Sequence, residues 1–174
     1  MELLEIIQNR RSVRKYTGES VSEENLEKIL QAGLLSASSR GRRPWELIVI
    51  RDKDTLKKMA QCRVGSAQML AGADVAVAVV ADASVSDVWI EDCSIVMSNM
   101  HLMADSLGVG SCWIQGRLRE APDGTATEKY LRSLLKFPES LALEAMLSLG
   151  MPESHPARRE LSEIAWDKIH REVF

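Results

Sequence analysis

The run Arg10-Arg11-Ser12-Val13-Arg14-Lys15-Tyr16 places four fixed positive charges and a hydroxyl within six residues. A guanidinium offers a planar fork of N–H donors that matches a phosphate in two-point contact, which a solvated ammonium does less well. A second run of the same chemistry follows, Ser38-Ser39-Arg40-Gly41-Arg42-Arg43-Pro44-Trp45. Either run alone is the composition of an ordinary solvated surface. Two of them, each joining arginine to serine, point to an anionic ligand without saying which.

No other grouping competes for chemistry. The chain has neither a GxxxxGK[ST] phosphate loop nor a GxSxG nucleophile turn. Gly108-Val109-Gly110 falls between a helix and a strand, the reverse of the dinucleotide-binding order, and lacks the third glycine. Cys62, Cys93 and Cys112 have no CxxC spacing, and Cys112 beside Trp113 reads as a small buried residue rather than a nucleophile. His101, His155 and His170 show no HExxH pattern, and no metal is expected. His155, before Pro156, reads as a loop residue. With no acid–base pair in view, an enzyme of this sequence would take its chemistry from a bound cofactor.

The elements that must position these residues follow from periodicity. Leu3, Leu4, Ile6 and Ile7 predict a short amphipathic helix ending near Asn9. Ser22 caps a second helix, whose Leu26, Ile29, Leu30, Gly33 and Leu34 share one face. Strands are expected over 47–50, 74–81, 109–115 and 143–149, and helices over 55–62 and 125–136. The longest helix spans 87–107 and is closed by Gly108. Its apolar surface is wider than the stripe a surface helix needs, so it is central to the domain or part of a subunit interface. The charged tail from Arg158 carries Trp166, Ile169, Val173 and Phe174 as expected apolar anchors. Alternating helices and strands fit α/β or α+β, and periodicity does not choose between them.

The 174 residues suit a single domain, 1–174, with a core that needs no disulfide or metal. The net charge of −3 conceals an asymmetry: residues 1–63 hold 13 Lys/Arg against 9 Asp/Glu, and residues 64–174 hold 9 against 16. Localised positive charge suits a small phosphate ligand better than nucleic acid, for which no role is expected. The N-terminus lacks the pattern of a secretory signal, and no stretch of about 18 apolar residues crosses a membrane, so a cytoplasmic protein is expected.

Taken in order, the 10–16 run, Ser38-Ser39 with Pro44-Trp45, Leu107-Gly108-Val109-Gly110-Ser111-Cys112-Trp113-Ile114, and Leu149-Gly150-Met151-Pro152 resemble the nitroreductase family of FMN flavoproteins, from about residue 5 to 170. The resemblance implies an α+β fold, a central, mostly antiparallel sheet flanked by helices, and a homodimer with FMN at its interface. It implies that Arg10, Arg11 and Ser12 hold the FMN phosphate and that Arg14 lies toward the pyrimidine edge of the ring. Ser38 and Ser39 would reach the flavin of the other subunit. Ile114, Gln115 and Gly116 would run past the flavin, and Arg158 or Arg159 would supply a late basic residue at the phosphate. NADH or NADPH would be the electron donor. A small electron-poor molecule, such as a nitroaromatic or a quinone, would be the acceptor in a ping-pong cycle.

The sequence departs from the family's Pro-Ser-Ser-x-Asn-x-Gln-Pro-Trp pattern at Ala37, Gly41 and Arg43. Gly41 loses a polar contact to the cofactor, while Arg43 adds a charge that replaces it or binds an acidic substrate. A different class of function uses the same loops: a flavin- or phosphate-ligand-binding module without turnover. An FMN enzyme predicts a yellow protein bleached by NAD(P)H; a module predicts binding alone.

Overall fold

The computed structural model describes residues 2–174. Helix α1 (Leu3–Asn9) and helix α2 (Glu23–Leu34) precede strand β1 (Trp45–Ile50), helix α3 (Lys53–Met59) and strand β2 (Val75–Asp82). Helix α4 (Trp89–Ser106), strand β3 (Gly110–Gln115), helix α5 (Thr127–Leu135) and strand β4 (Leu141–Gly150) follow. The sheet order is β1-β2-β4-β3, antiparallel throughout.

Alternation along β2 builds two cores. Val75, Val77, Val79 and Ala81 face the layer of α2 and α4, while Ala76, Ala78 and Val80 face α3 and α5. Both faces are covered, which is why this strand reads as a continuous apolar run. Opposite it, β4 carries a bulge: Val79 pairs with Ala145 but Val80 pairs with Leu143, leaving Glu144 without a partner in the ladder.

The predicted elements are present, with shifted ends. Helix α2 starts where Ser22 caps it, its side chain accepting from Asn25 N at 3.2 Å. Helix α3 begins earlier than the apolar pattern shows because Asp52 caps it, accepting from Thr55 N at 2.7 Å. Gly108, at φ +73°, takes the left-handed conformation that ends α4 and turns the chain into β3. Expectation and structure part at the tail. Trp166 is 67% exposed and Phe174 104% exposed, with Ile169 and Val173 also open, so these side chains lie outside the buried core of this chain. Both faces of the sheet are already covered by helices, so the tail is left outside the two cores.

Candidate functional site

The 10–16 segment runs extended beside β3. Ser12 bridges Ser111 in parallel, and Val13 N donates to Ser111 O at 2.9 Å. Gly110 makes the approach possible: a Cβ there would lie 2.8 Å from Val13 Cγ1. Tyr16 closes the segment, its hydroxyl 2.8 Å from Ser148 Oγ and donating to Val13 O at 3.0 Å. With Val13 buried and Tyr16 tied down, the run is a strapped edge rather than a loose basic tail.

Each arginine of the run has a different surrounding. Arg10 Nη1 donates to His101 Nε2 at 2.9 Å, and His101 Nδ1 lies 2.5 Å from Ser111 Oγ. Arginine cannot accept, so Nε2 bears the lone pair and Nδ1 the proton, which is donated to Ser111. Burial, and then the neighbouring Arg10 charge, push the His101 pKa down to about 4, in agreement with a neutral ring. Arg11 donates to Ala157 O.

The chain around residue 157 is held against α1 by further bonds. Arg159 N donates to Gln8 O at 2.9 Å, and Asp105 accepts from Asn9 Nδ2 at 2.8 Å while pairing with His155 Nε2 at 3.0 Å. The structure therefore brings residues 155–159 alongside Arg10 and Arg11. Arg158 turns to Glu160 at 3.6 Å, and Arg159 lines a groove with Leu4, Ile7 and Ile164.

Arg14 opens onto a cavity of about 310 Å³ that it lines with Arg63, Gly65, Ser66, Met69, Cys112 and Trp113. No acidic residue lines it. Arg63 donates to Gln115 O at 3.2 Å, and its Nε is buried without a partner. Two guanidiniums at an acid-free cavity, one with an orphaned donor, fit a ligand rich in acceptors such as the carbonyl edge of a flavin. Burial pushes the Cys112 thiol up, which favours its protonated form.

The turn after β3 is held by the bulged residue. Glu144 O accepts from Gly116 N at 3.1 Å and from Arg117 N at 2.9 Å, and Gln115 Nε2 reaches Glu144 Oε1 at 3.3 Å. Gln115 Oε1 also accepts from Trp113 Nε1 at 2.9 Å. Burial pushes the Glu144 carboxyl up, against the Gln115 bond, and its Oε2 has no partner. Of the three residues expected here, Ile114 turns its side chain into the α3/α5 core, so only its backbone is available to a ligand. Gly116 N–H is engaged by Glu144.

The 38–43 loop is positioned by its backbone. Ser38 Oγ accepts from Arg43 N at 2.9 Å, and Ser39 N donates to Asp92 Oδ1 at 2.8 Å. Asp92, buried in the first turn of α4, accepts from Ser86 Oγ at 2.9 Å with its other oxygen. Arg40, Gly41 and Arg43 adopt positive φ; the Arg40 and Arg43 side chains stay exposed, while Arg42 donates to Val85 O at 2.6 Å. Among the described residues no hydrogen bond joins this loop to residues 10–14.

Sequence reasoning missed His101, Arg63, Asp92 and Glu144. Three of them lie on elements otherwise chosen for apolar content, and a polar residue on a buried face was the available signal.

Fold and site together define an α+β protein with a basic, phosphate-compatible edge beside its outer strand. The nitroreductase family model matches residues 7–65 and 60–151, and the chain belongs to that family. An Archaeoglobus fulgidus protein, provisionally named an NADH dehydrogenase/NAD(P)H nitroreductase, is 39% identical over 99% of both chains. The structure of an FMN-dependent nitroreductase from Clostridium difficile superposes with a TM-score of 0.95 at 41% identity, covering 98% of this chain and 99% of that one. An NADPH-flavin oxidoreductase of Vibrio harveyi is 26% identical over 88% of this chain and 67% of its own length.

Proposed function

We infer that this chain is an FMN-dependent oxidoreductase that takes hydride from NADH or NADPH and reduces a small electron-poor acceptor. The observation that carries the reading is the donor set: Arg10, Arg11 and Ser12 beside β3, together with an acid-free cavity lined by Arg14 and Arg63. When bound there, FMN would supply the redox chemistry, accepting hydride at N5 and passing the electrons on.

The protein's own share is positioning and electrostatics. Arg10, Arg11 and Ser12 would bind the phosphate, with Arg158 or Arg159 closing that end. Arg14 and Arg63 would face the ring carbonyls and favour its negatively charged reduced form. The backbone of residues 114–116 would run past the ring, with the Gln115 side-chain amide held in place by Trp113 and Glu144. No side-chain acid is required at the ring, in keeping with a site that holds no exposed acid–base pair. A donor and an acceptor sharing one face in turn gives a ping-pong cycle, and candidate acceptors are nitroaromatics and quinones.

The working unit is proposed to be a homodimer of one-domain protomers. Leu3, Leu4, Leu34, Leu35 and Trp166 are exposed, more apolar side chain than an isolated protomer needs to show. The 38–43 loop would complete the partner's site, with Ser38, Ser39 and Arg43 reaching that flavin. No helix among the described residues is long and apolar enough to cross a membrane. Use of NAD(P)H and three free cysteines suit a cytoplasmic setting.

The test is direct. The purified protein should be yellow, with an absorption band near about 450 nm that NADH or NADPH bleaches anaerobically and a quinone or nitroaromatic restores. A colourless protein that FMN does not stabilise against heat refutes the reading. Flavin binding without turnover by any acceptor in the panel would leave only the binding module. Parallel double-reciprocal plots would support the ping-pong order.

A further inference from the structure

Arg10 extends from the C-terminus of α1, and none of the ion pairs among the described residues includes it. The nearby carboxylate of Asp105 is otherwise engaged: one oxygen accepts from Asn9 and the other pairs with His155. The guanidinium is held instead by a neutral acceptor, His101 Nε2, at 2.9 Å. His101 is in turn fixed through Nδ1 by Ser111, the β3 residue that Ser12 bridges.

We propose that His101 is a positioning residue for the cofactor phosphate, holding the Arg10 guanidinium in its binding orientation between α4 and β3. The inference rests on the FMN reading above. A neutral imidazole suits the task better than a carboxylate would. It accepts one N–H and fixes the fork without cancelling the charge that the phosphate needs, and it leaves the remaining donors free. An arginine ordered before the ligand arrives also loses less side-chain freedom on binding. The chain Arg10–His101–Ser111–Ser12 therefore links two of the expected phosphate ligands through one buried ring.

The experiment strips the flavin and measures dissociation constants for FMN and riboflavin, which differ only in the phosphate, by quenching of flavin fluorescence. The unsubstituted protein should prefer FMN strongly. In His101→Leu that preference should fall about tenfold or more, through weaker FMN binding alone. His101→Gln, which keeps an acceptor and a donor on one side chain, should retain most of it. In an Arg10→Ala background, His101→Leu should have no further effect on the ratio.

An unchanged ratio in folded His101→Leu, or equal weakening of both ligands, overturns the proposal. If that variant does not fold, Ser111→Ala takes its place: a lowered ratio is expected, and an unchanged one overturns the proposal. If the unsubstituted protein binds FMN no better than riboflavin, the phosphate site itself is wrong and the proposed function falls with it. The two failures are thus distinguishable.

Discussion

The two arginine-rich runs are alike in composition and opposite in construction. Residues 10–16 are strapped along β3, with Val13 buried, Tyr16 bonded to Ser148, and Arg10 held by His101 from beneath. Residues 38–43 are held by Ser38 Oγ and by Asp92 through main-chain N–H groups and by Arg42, which donates to Val85 O at 2.6 Å, while the Arg40 and Arg43 side chains stay exposed. The first is a seat fixed by side-chain contacts within the chain. The second is a loop whose shape is fixed but whose Arg40 and Arg43 side chains are offered outward. Equal charge in a sequence therefore does not mean equal function: what lies under the charge decides whether it is ordered before a ligand binds.

The contrast can be broken at its strongest point first. Arg10→Ala should weaken FMN by about 2–3 kcal/mol, the worth of charge-assisted bonds lost at one ligand, and leave riboflavin nearly unaffected; titration of the stripped protein with both flavins checks it. Asp92→Ala should cost about 2 kcal/mol of stability, since Ser39 N–H and Ser86 O–H lose their acceptor in a buried setting. Denaturant melts would record the loss, and faster amide exchange at 38–43 than at 10–16 would localise it. Slow exchange across both runs in that variant would show that the loop does not depend on Asp92.

His101 gives the contrast a pH dependence. Its folded value of about 4 lies below the ordinary 6.5, so between these values the unfolded chain binds more protons than the folded one. Stability is therefore lost as pH falls from about 6.5 toward 4 and is unaffected by this group above that window. His101→Gln should flatten that part of a thermal-melt series; an unaltered acid slope would place the sensitivity elsewhere. The smallest effect belongs to Lys15→Ala. Lys15 is exposed and free of ion pairs among the described residues, so the change should stay within about 0.5 kcal/mol in both stability and FMN affinity.

Much of this was legible in the chain. The Val/Ala run of β2 announced a strand covered on both faces, Ser22 its helix start, and Gly108 the end of α4. The order of basic run, double serine and Gly-Val-Gly-Ser-Cys-Trp strand identified the family that the comparisons then established. Less legible were the residues that hold the site from behind. Periodicity assigns α4 to the core, and within that pattern His101 and Asp92 look like interruptions. Arg63 lies in an irregular stretch between α3 and β2, far in sequence from Arg14, so no local spacing could pair them. The tail misled for a related reason: its aromatic and aliphatic residues read as anchors, but residue type alone does not place them against the rest of the fold.

The sequence by itself determined the covalent inventory: arginine forks and serine hydroxyls suited to an anion, no metal-ligand spacing, no nucleophile turn, and the apolar periods that build a two-faced sheet. Those properties depend on residue type and on spacing of a few positions, which local geometry translates directly. Only the tertiary structure decided which charges are seated and which are free. That choice depends on contacts between residues about 50 to 100 positions apart, such as Arg10 with His101 and Ser39 with Asp92. Hydrogen bonds need matched atoms at about 3 Å, and only the folded chain brings such distant partners within that reach.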